Sequence, residues 1–383
     1  MSASAAVNGT PLAAPLAATA AAVGATLGLP PLAAPAPAAA QVALGRALFF
    51  ERRLSVNGTL SCAMCHVPEQ AFTVNELRTS VGMEGVSLRR NAPTLLNVAH
   101  VQRLFHDGRA GTLEEQALMP MLHPDEMANP DIAGVLARVA RWPPYRGLFR
   151  RAFGQAQPTA RGMAAALAAY QRTLLAADSP FDRWRFGGQA DALTAQQRRG
   201  FELFVSLGCS SCHPVGAQDA LFTDQHFHNT GVQARTDALR QREVQVQLIP
   251  GVHAVLSPDE LRRVGVADAA DLGRQEVTGQ AADARAFRTP SLRNVALTAP
   301  YMHDGSFDTL EDVLDHYLAG GWPADPLQDP RLRPQPVGHD GRDAIVAFLR
   351  ALTSPRLPDC ANAAPDRRAC APARQPDRPA RGP

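Results

Sequence analysis

The chain has 383 residues, of which 45% are apolar and 19% are charged. At roughly 150 residues per domain this length indicates two or three domains, and the composition is that of a globular protein, which excludes wholesale disorder. The formal net charge of +2 gives no basis for predicting a nucleic-acid partner. No run of about 18 or more strongly apolar residues predicts a membrane span.

Residues 1–40 consist mostly of alanine, proline and leucine, and no charged residue precedes Arg46. The stretch Pro11–Pro30 has the composition of the apolar region of an export signal, but it lacks the basic segment that precedes such a region. A flexible leader fits this stretch equally well. We therefore expect either a leader or a flexible N-terminal segment over residues 1–40.

Two Cys-x-x-Cys-His motifs provide the strongest chemical signal in the chain. This pattern attaches haem c, because two thiols add to one porphyrin and the next histidine binds its iron. The alternatives are a zinc site and a thiol redox pair, but neither explains why a histidine follows both cysteine pairs. The motifs predict two covalently bound haems, attached at Cys62, Cys65, His66, Cys209, Cys212 and His213.

Covalent haem attachment normally takes place outside the cytoplasm, so the motifs also predict a periplasmic protein. In an oxidising compartment Cys360 and Cys370 would form a small disulfide. The alternative is two free thiols on a mobile tail that is rich in proline, arginine and alanine.

An internal repeat relates the two halves of the chain. The segment 91–99 resembles 288–296, and His-Asp-Gly follows at His106 and at His303. Thr-Leu-Glu then begins at Thr112 and at Thr309, where each threonine is a candidate helix cap. All of these pairs share one offset of 197 residues. The repeat predicts two structurally similar units, each with one haem.

The predicted fold is mainly α, with two cytochrome c-like haem domains related by the repeat and few short strands. We expect the first domain over 41–185, the second over 186–354 and a flexible tail over 355–383. Apolar spacing predicts a closing helix in each half, around 161–176 and 341–352. The second half carries an insertion at about 215–285, where the alternation of Val244–Leu248 is typical of a short strand.

The repeat places Tyr317 opposite Pro120. Tyrosinate can bind haem iron, whereas proline cannot. We therefore expect Tyr317 to cap haem 2 and haem 1 to stay open, unless Met83 binds it as a thioether. An open haem is the one at which peroxide can react.

Peroxide cleavage requires a group that moves a proton and polar groups that hold the substrate. Gln116 and Glu126 follow the first His-Asp-Gly motif, and Val313 replaces the glutamine in the second half. Both are candidate catalytic residues, although Glu126 within Pro124–Met127 also fits a surface acid.

In motif order and spacing, residues 41–355 resemble the bacterial di-haem cytochrome c peroxidase and MauG superfamily. The resemblance implies that His66 and His213 are the proximal iron ligands. It implies that Gln116 is the distal glutamine and Glu126 the catalytic glutamate. It also implies a calcium ion between the haems, held by Asn91, Thr298 and Pro300.

Departures from the family pattern point to one branch. Met83 replaces the histidine that blocks haem 1 in ordinary di-haem peroxidases, and Tyr317 replaces their methionine over haem 2. The tyrosine resembles MauG, but the tryptophan between the haems is His106 here and the surface tryptophan is Leu207. Over longer segments, the amino-acid sequence is most similar to the MbnH group. Members of that group are associated with copper-protein loci.

The resemblance implies a haem-dependent oxidoreductase that reacts with hydrogen peroxide at haem 1. It would store the oxidising equivalents on both haems and oxidise an aromatic residue, tryptophan, of a periplasmic and copper-related partner protein. The first alternative is a peroxidase that a small redox protein supplies with electrons, and the second is an electron carrier with both irons capped. Candidate relay residues, each also a plausible core residue, are Trp142, Trp184 and Trp322.

Overall fold

The computed structural model describes residues 26–33, 35–240, 244–249, 252–257 and 270–358. This part of the chain is mainly helical, as predicted, with two small antiparallel sheets. The α-helices are α1 (Ala39–Phe49), α2 (Cys62–Cys65), α3 (Leu113–Gln116), α4 (Met119–Leu122), α5 (Ile132–Ala140), α6 (Pro143–Phe153), α7 (Ala160–Gln171), α8 (Pro180–Arg185), α9 (Ala195–Ser206), α10 (Val232–Arg240), α11 (Gln275–Thr278), α12 (Leu310–Leu318) and α13 (His339–Arg350). The strands are β1 (Phe227–His228), β2 (Val244–Ile249), β3 (Val252–Leu256) and β4 (Phe287–Arg288).

Helices α1 and α7 pack closely in the first half, at a glycine. A Cβ atom on Gly45 would lie 1.8 Å from the carbonyl oxygen of Ala166 and 2.9 Å from Cβ of Tyr170. Only a residue without a side chain allows the two backbones to approach this closely. The contact fixes the crossing point of the two helices.

Helices α9 and α13 make the corresponding contact in the second half. A Cβ atom on Gly200 would lie 1.9 Å from the carbonyl oxygen of Ala344 and 2.9 Å from Cβ of Phe348. The same backbone approach therefore occurs in both halves. The predicted closing helices are confirmed as α7 and α13.

Two separate clusters of buried apolar side chains surround these helix pairs. Leu44, Leu48 and Tyr170 belong to the first cluster. Phe204 and Phe348 belong to the second. The two clusters agree with a division into two units, while the boundaries at 185 and 354 stay predictions.

Both threonine caps that the repeat predicts are confirmed. The side-chain oxygen of Thr112 accepts a hydrogen bond from the backbone N–H of Glu115 at 3.1 Å. The side-chain oxygen of Thr309 accepts one from the N–H of Asp312, also at 3.1 Å. Each cap satisfies a donor that the first turn of a helix leaves free, so each helix begins at the predicted residue.

The insertion in the second half contains the predicted strand. Strand β2 pairs with β3 in an antiparallel hairpin. Strand β1 pairs with β4, with Phe227 opposite Arg288.

Within the predicted N-terminal segment, residues 26–33 contact the second half of the chain. The carbonyl of Gly28 accepts a hydrogen bond from the N–H of Ala220 at 3.0 Å and a second one from the guanidinium of Arg293. Arg293 also forms a buried, bidentate ion pair with Asp182, at 2.8 and 2.9 Å. Residues 1–25 and the predicted disulfide Cys360–Cys370 lie outside the described residues.

A group of ion pairs joins the segment before the first repeat motif to the end of the insertion. Arg90 donates to both carboxylate oxygens of Asp271 at 2.6 Å and to Asp107 at 2.5 Å.

Across the residues that the structure describes, no helix is long and apolar enough to cross a bilayer.

Candidate haem sites

The first Cys-x-x-Cys-His motif forms the single helical turn α2 with His66 directly after it. The Nδ1 atom of His66 lies 3.1 Å from the carbonyl oxygen of Phe72. Because a carbonyl only accepts hydrogen bonds, Nδ1 carries the proton and Nε2 keeps its lone pair. A histidine held in this tautomer is prepared to bind a metal through Nε2.

The second motif repeats this arrangement. The Nδ1 atom of His213 lies 2.7 Å from the carbonyl oxygen of Phe222. Phe72 and Phe222 both have positive φ angles, of 57° and 53°, which turn their carbonyls toward the histidines. These two acceptors were not predicted from the sequence, although a Phe-Thr pair follows each motif.

One cleft contains the predicted catalytic side chains together with the first motif. Cys62, Cys65 and His66 line it along with Gln116 and Glu126. The rest of the lining is largely apolar, from Phe49, Leu60, Leu95, Ala117, Pro120, Met127 and Leu167. Two thiols, an imidazole and an apolar wall match what a covalently attached haem requires, so these residues fit the cofactor.

Short local elements hold the two polar residues in this cleft. Gln116 ends helix α3, whose start is capped by Thr112. Glu126 follows helix α4 in a turn where its N–H donates to the carbonyl of His123 at 3.1 Å. The chain passes Asp125 at Gly82, where a Cβ atom would lie 1.9 Å from the carbonyl oxygen of Asp125.

Burial raises the pKa of Glu126 above its ordinary range, while the nearby His123 and Arg109 act to lower it. The side chain of Glu126 is 26% exposed, and its carboxylate lies 4.0 Å from Nδ1 of His123. A carboxyl group with a raised pKa binds its proton more firmly than an ordinary glutamate and can both accept and donate it. This property suits the predicted role of a proton-transfer group.

Met83 is buried but does not line this cleft. Its sulfur accepts a hydrogen bond from Nδ2 of Asn57 at 3.2 Å, and its N–H donates to the carbonyl of Asp125. The sulfur of Met83 is therefore already engaged in a hydrogen bond with the Asn57 side chain. This geometry does not favour Met83 as an axial ligand.

Tyr317 lies on helix α12, close enough to the second motif that Cys212 and Cys209 influence its titration. Burial raises the pKa of Tyr317 to about 12, with further increases from the two thiols, while a hydrogen bond with Thr230 lowers it. The first half has no counterpart of this phenol, since Pro120 occupies the repeat position and lines the cleft. The two sites thus differ at this repeat position, and the roles of Tyr317 and Pro120 at the haems stay predictions.

The zinc and thiol-redox alternatives find no support in the geometry. In the described part of the chain, the one grouping of possible metal ligands is Cys212, Asp224 and His228, which does not unite the four cysteines. Burial raises the pKa of Cys62 to about 12 and that of Cys209 to about 11. Reactive thiol pairs require the opposite shift.

The predicted calcium ligands come from both halves of the chain. The buried Asn91 donates from Nδ2 to the carbonyl of Arg78 at 2.8 Å, and its N–H donates to the carbonyl of His303 at 2.7 Å. This bond brings Asn91 to the segment that follows Pro300. The hydroxyl of Thr298 donates to the carbonyl of Val295 at 3.1 Å, so a calcium ion here would use its backbone oxygen.

The three tryptophans lie in different surroundings. Trp184 packs in an aromatic cluster with Phe181 and Phe201, at centroid distances of 5.8 and 5.7 Å. Trp142 is 44% exposed, with the guanidinium of Arg53 3.4 Å from its ring centroid. Trp322 is half-buried beside Gly231.

Comparison with known proteins places this site in a family. A family model described as di-haem cytochrome c peroxidase matches residues 39–191. The methylamine utilization protein MauG of Methylorubrum extorquens is 39% identical over 327 residues, which cover 83% of this chain and 81% of that protein. The cytochrome c peroxidase Ccp of Escherichia coli is 33% identical over 320 residues, 84% of this chain and 59% of that protein.

Comparison with solved structures points to the same family of proteins. A MauG-like protein associated with microbial copper homeostasis has a TM-score of 0.69 at 32% identity, covering 85% of this chain and 94% of its own. The di-haem peroxidase BthA of Burkholderia thailandensis has a TM-score of 0.65 at 26% identity, covering 85% and 89%. The chain belongs to the di-haem cytochrome c peroxidase and MauG family, and it is a haem-dependent oxidoreductase.

Proposed function

We propose that this protein is a periplasmic, MauG- and MbnH-like oxidoreductase that uses hydrogen peroxide to oxidise an aromatic residue, tryptophan, of a partner protein. Haem 1 is attached to Cys62 and Cys65 with His66 as proximal ligand, and haem 2 to Cys209 and Cys212 with His213. The observation that carries the proposal is the asymmetry between the sites. Gln116 and Glu126 share a cleft with the first motif, whereas the second motif has Tyr317 beside it.

When bound, the haems supply redox-active iron, which accepts the oxidising equivalents of peroxide and stores them. Glu126 takes the proton of the incoming peroxide at its carboxylate and returns it to the departing oxygen. The carboxamide of Gln116 orients the substrate by hydrogen bonding. The apolar side chains of the cleft exclude bulk water, which keeps these polar interactions strong.

Tyr317, together with His213, would hold the iron of haem 2, and it would do so through its phenolate oxygen. The pKa of about 12 describes the phenol without its metal, and coordination displaces the phenol proton. An anionic oxygen ligand stabilises oxidised iron, so with Tyr317 bound haem 2 would supply a store of oxidising equivalents and not a reduced electron donor. The structural similarity to a MauG-like protein associated with microbial copper homeostasis supports a copper-related partner.

The test is an optical and near-infrared titration of the diferric protein with stoichiometric peroxide in the absence of reductant. We expect the wild-type protein to form a long-lived oxidised state, and we expect the Tyr317→Phe variant to lose this state. Tyr301→Phe is the matched control, because Tyr301 is a buried tyrosine in the same half. A wild-type protein that stays silent until one haem is reduced would refute the proposal.

Ordinary peroxidase activity is the second candidate, since several relatives of similar identity carry the name cytochrome c peroxidase. In this case a small redox protein supplies the electrons. Tyr317→Phe would then retain most of its steady-state peroxide turnover, because a scavenger does not depend on a stored oxidised state.

A further inference from the structure

We infer that electrons pass between the two haem sites along a hydrogen-bonded path that the imidazole of His106 completes. This inference rests on the proposed binding of one haem at each motif. It concerns the route between the proximal histidines, and it depends on neither the identity nor the presence of a protein substrate.

The first arm of the path begins at His66. Its Nδ1 donates to the carbonyl of Phe72 at 3.1 Å, and the next residue is Thr73. The hydroxyl of Thr73 donates to the carbonyl of Ala92 at 2.5 Å. Ala92 is bonded through its peptide nitrogen to Asn91. The arm thus links the first proximal histidine to the backbone of residue 91 by two hydrogen bonds.

The second arm has the same construction. Nδ1 of His213 donates to the carbonyl of Phe222 at 2.7 Å. The hydroxyl of the adjacent Thr223 donates to the carbonyl of Thr289, also at 2.7 Å. Thr289 is bonded through its peptide nitrogen to Arg288. Residues 91 and 288 are repeat equivalents, so the two arms end at matching positions.

His106 connects the two ends. Its Nε2 donates to the backbone carbonyl of Asn91 at 2.9 Å. Its own carbonyl accepts from the N–H of Arg288 at 2.8 Å. The path from His66 to His213 is therefore continuous, with every step either a covalent bond or a hydrogen bond.

The repeat partner of His106 does not make the symmetric connection. The Nε2 atom of His303 is 2.7 Å from Oε1 of Gln233, and its ring stacks on Phe287 with 3.7 Å between the centroids. The two histidines occupy equivalent positions in the repeat, but only the ring of His106 lies on the path. His303 is for that reason a matched control.

Electronic coupling falls off more slowly through covalent and hydrogen bonds than through gaps between packed atoms. A continuous bonded path is therefore a favourable route for tunnelling. One electron leaves the reduced site and reaches the oxidised site, and every hydrogen bond keeps its proton on the same donor. The transfer needs no further reactant.

The experiment injects one electron into the diferric holoprotein by pulse radiolysis and follows its redistribution between the haems by absorbance. His106→Phe keeps a ring but removes the donor, and we expect redistribution to slow several-fold, because the path then loses one of its hydrogen bonds and the electronic coupling weakens. His106→Gln retains an N–H donor and should restore much of the rate. His303→Phe should leave the rate close to that of the wild type, because the ring of His303 is not part of the path.

Two outcomes would overturn the inference: an unchanged rate in His106→Phe, or equal slowing in His303→Phe. If His106→Phe does not fold, Thr223→Val breaks the second arm instead. Its control is Thr173→Val, because the hydroxyl of Thr173 donates to the carbonyl of Tyr170 at 2.6 Å and neither residue lies on either arm of the path. Haem content and the ferric spectrum of each variant are recorded first, so failure of the proposed haem attachment is seen separately from failure of the path.

Discussion

The backbone N–H of Asn91 donates to the carbonyl of His303 at 2.7 Å, and this bond joins the two halves of the chain. The repeat equivalents of these residues make the reciprocal bond, from the N–H of Arg288 to the carbonyl of His106 at 2.8 Å. Each half thus donates to the His-Asp-Gly turn of the other. This pair of bonds is part of the contact between the two halves of the chain.

Glu126→Gln should lower the second-order rate constant for peroxide by about 10²–10⁴-fold, the usual contribution of a general acid–base group. Because burial raises the pKa of Glu126, its carboxylate forms at higher pH than that of an ordinary glutamate. The wild-type rate should rise as pH increases through that raised pKa, and the variant should lack this inflection. Stopped-flow mixing over a pH series measures both effects.

The control for this prediction is Glu202→Gln, since Glu202 is an exposed acid on α9. It should react with peroxide at the wild-type rate. A Glu126→Gln variant with the wild-type rate and inflection would show that another group transfers the proton.

Gly45→Ala should destabilise the protein, because the new Cβ atom meets the carbonyl of Ala166 at 1.8 Å. Overpacking of this kind costs about 1–3 kcal/mol. Gly147→Ala, also inside a helix, meets nothing nearer than 3.6 Å and should stabilise by about 0.5–1 kcal/mol. Denaturant unfolding of the two variants should therefore give changes of opposite sign, and equal changes would contradict the close contact.

Asp182→Asn should lower the free energy of unfolding by about 3–5 kcal/mol, because it leaves the buried guanidinium of Arg293 without its charged partner. The side chains of Arg293 and Asp182 are 2% and 0% exposed. Asp343→Asn removes an acid that is 53% exposed, and this surface pair should contribute at most about 1 kcal/mol. Similar losses in both variants would argue against the buried pair as a stabilising contact.

Calcium, if it binds at Asn91, Thr298 and Pro300, should raise the unfolding midpoint, and chelation should reverse the rise. A ligand at about 100 times its Kd stabilises the native state by about 2.7 kcal/mol. Asn91→Ala should abolish the response, whereas Asn75→Ala, at an exposed position, should retain it. Thermal unfolding with calcium and with a chelator measures this, and a response that survives in Asn91→Ala would place the ion elsewhere.

Patterns confined to one helix or to one motif were predictable because they depend on neighbours in the chain. The caps Thr112 and Thr309 and the helices α7 and α13 are examples. The repeat also allowed a prediction about residues that are distant in the chain. It placed Gln116 and Pro120 at the first motif, and the structure has both residues in one cleft with that motif. The acceptors Phe72 and Phe222 were missed, because any residue presents a carbonyl and its direction depends on the backbone angle.

The sequence alone determined the chemistry of the two motifs, since the thiols and the histidine act within five consecutive residues. It also determined the difference between Pro120 and Tyr317, because a repeat makes that comparison position by position. Tertiary structure decided the environment of Glu126 and the contact of Met83 with Asn57. It also decided that the ring of His106 reaches Asn91 while that of His303 reaches Gln233. Such choices depend on which distant segments pack together, and equivalent residues in a repeat can find different partners once the chain is folded.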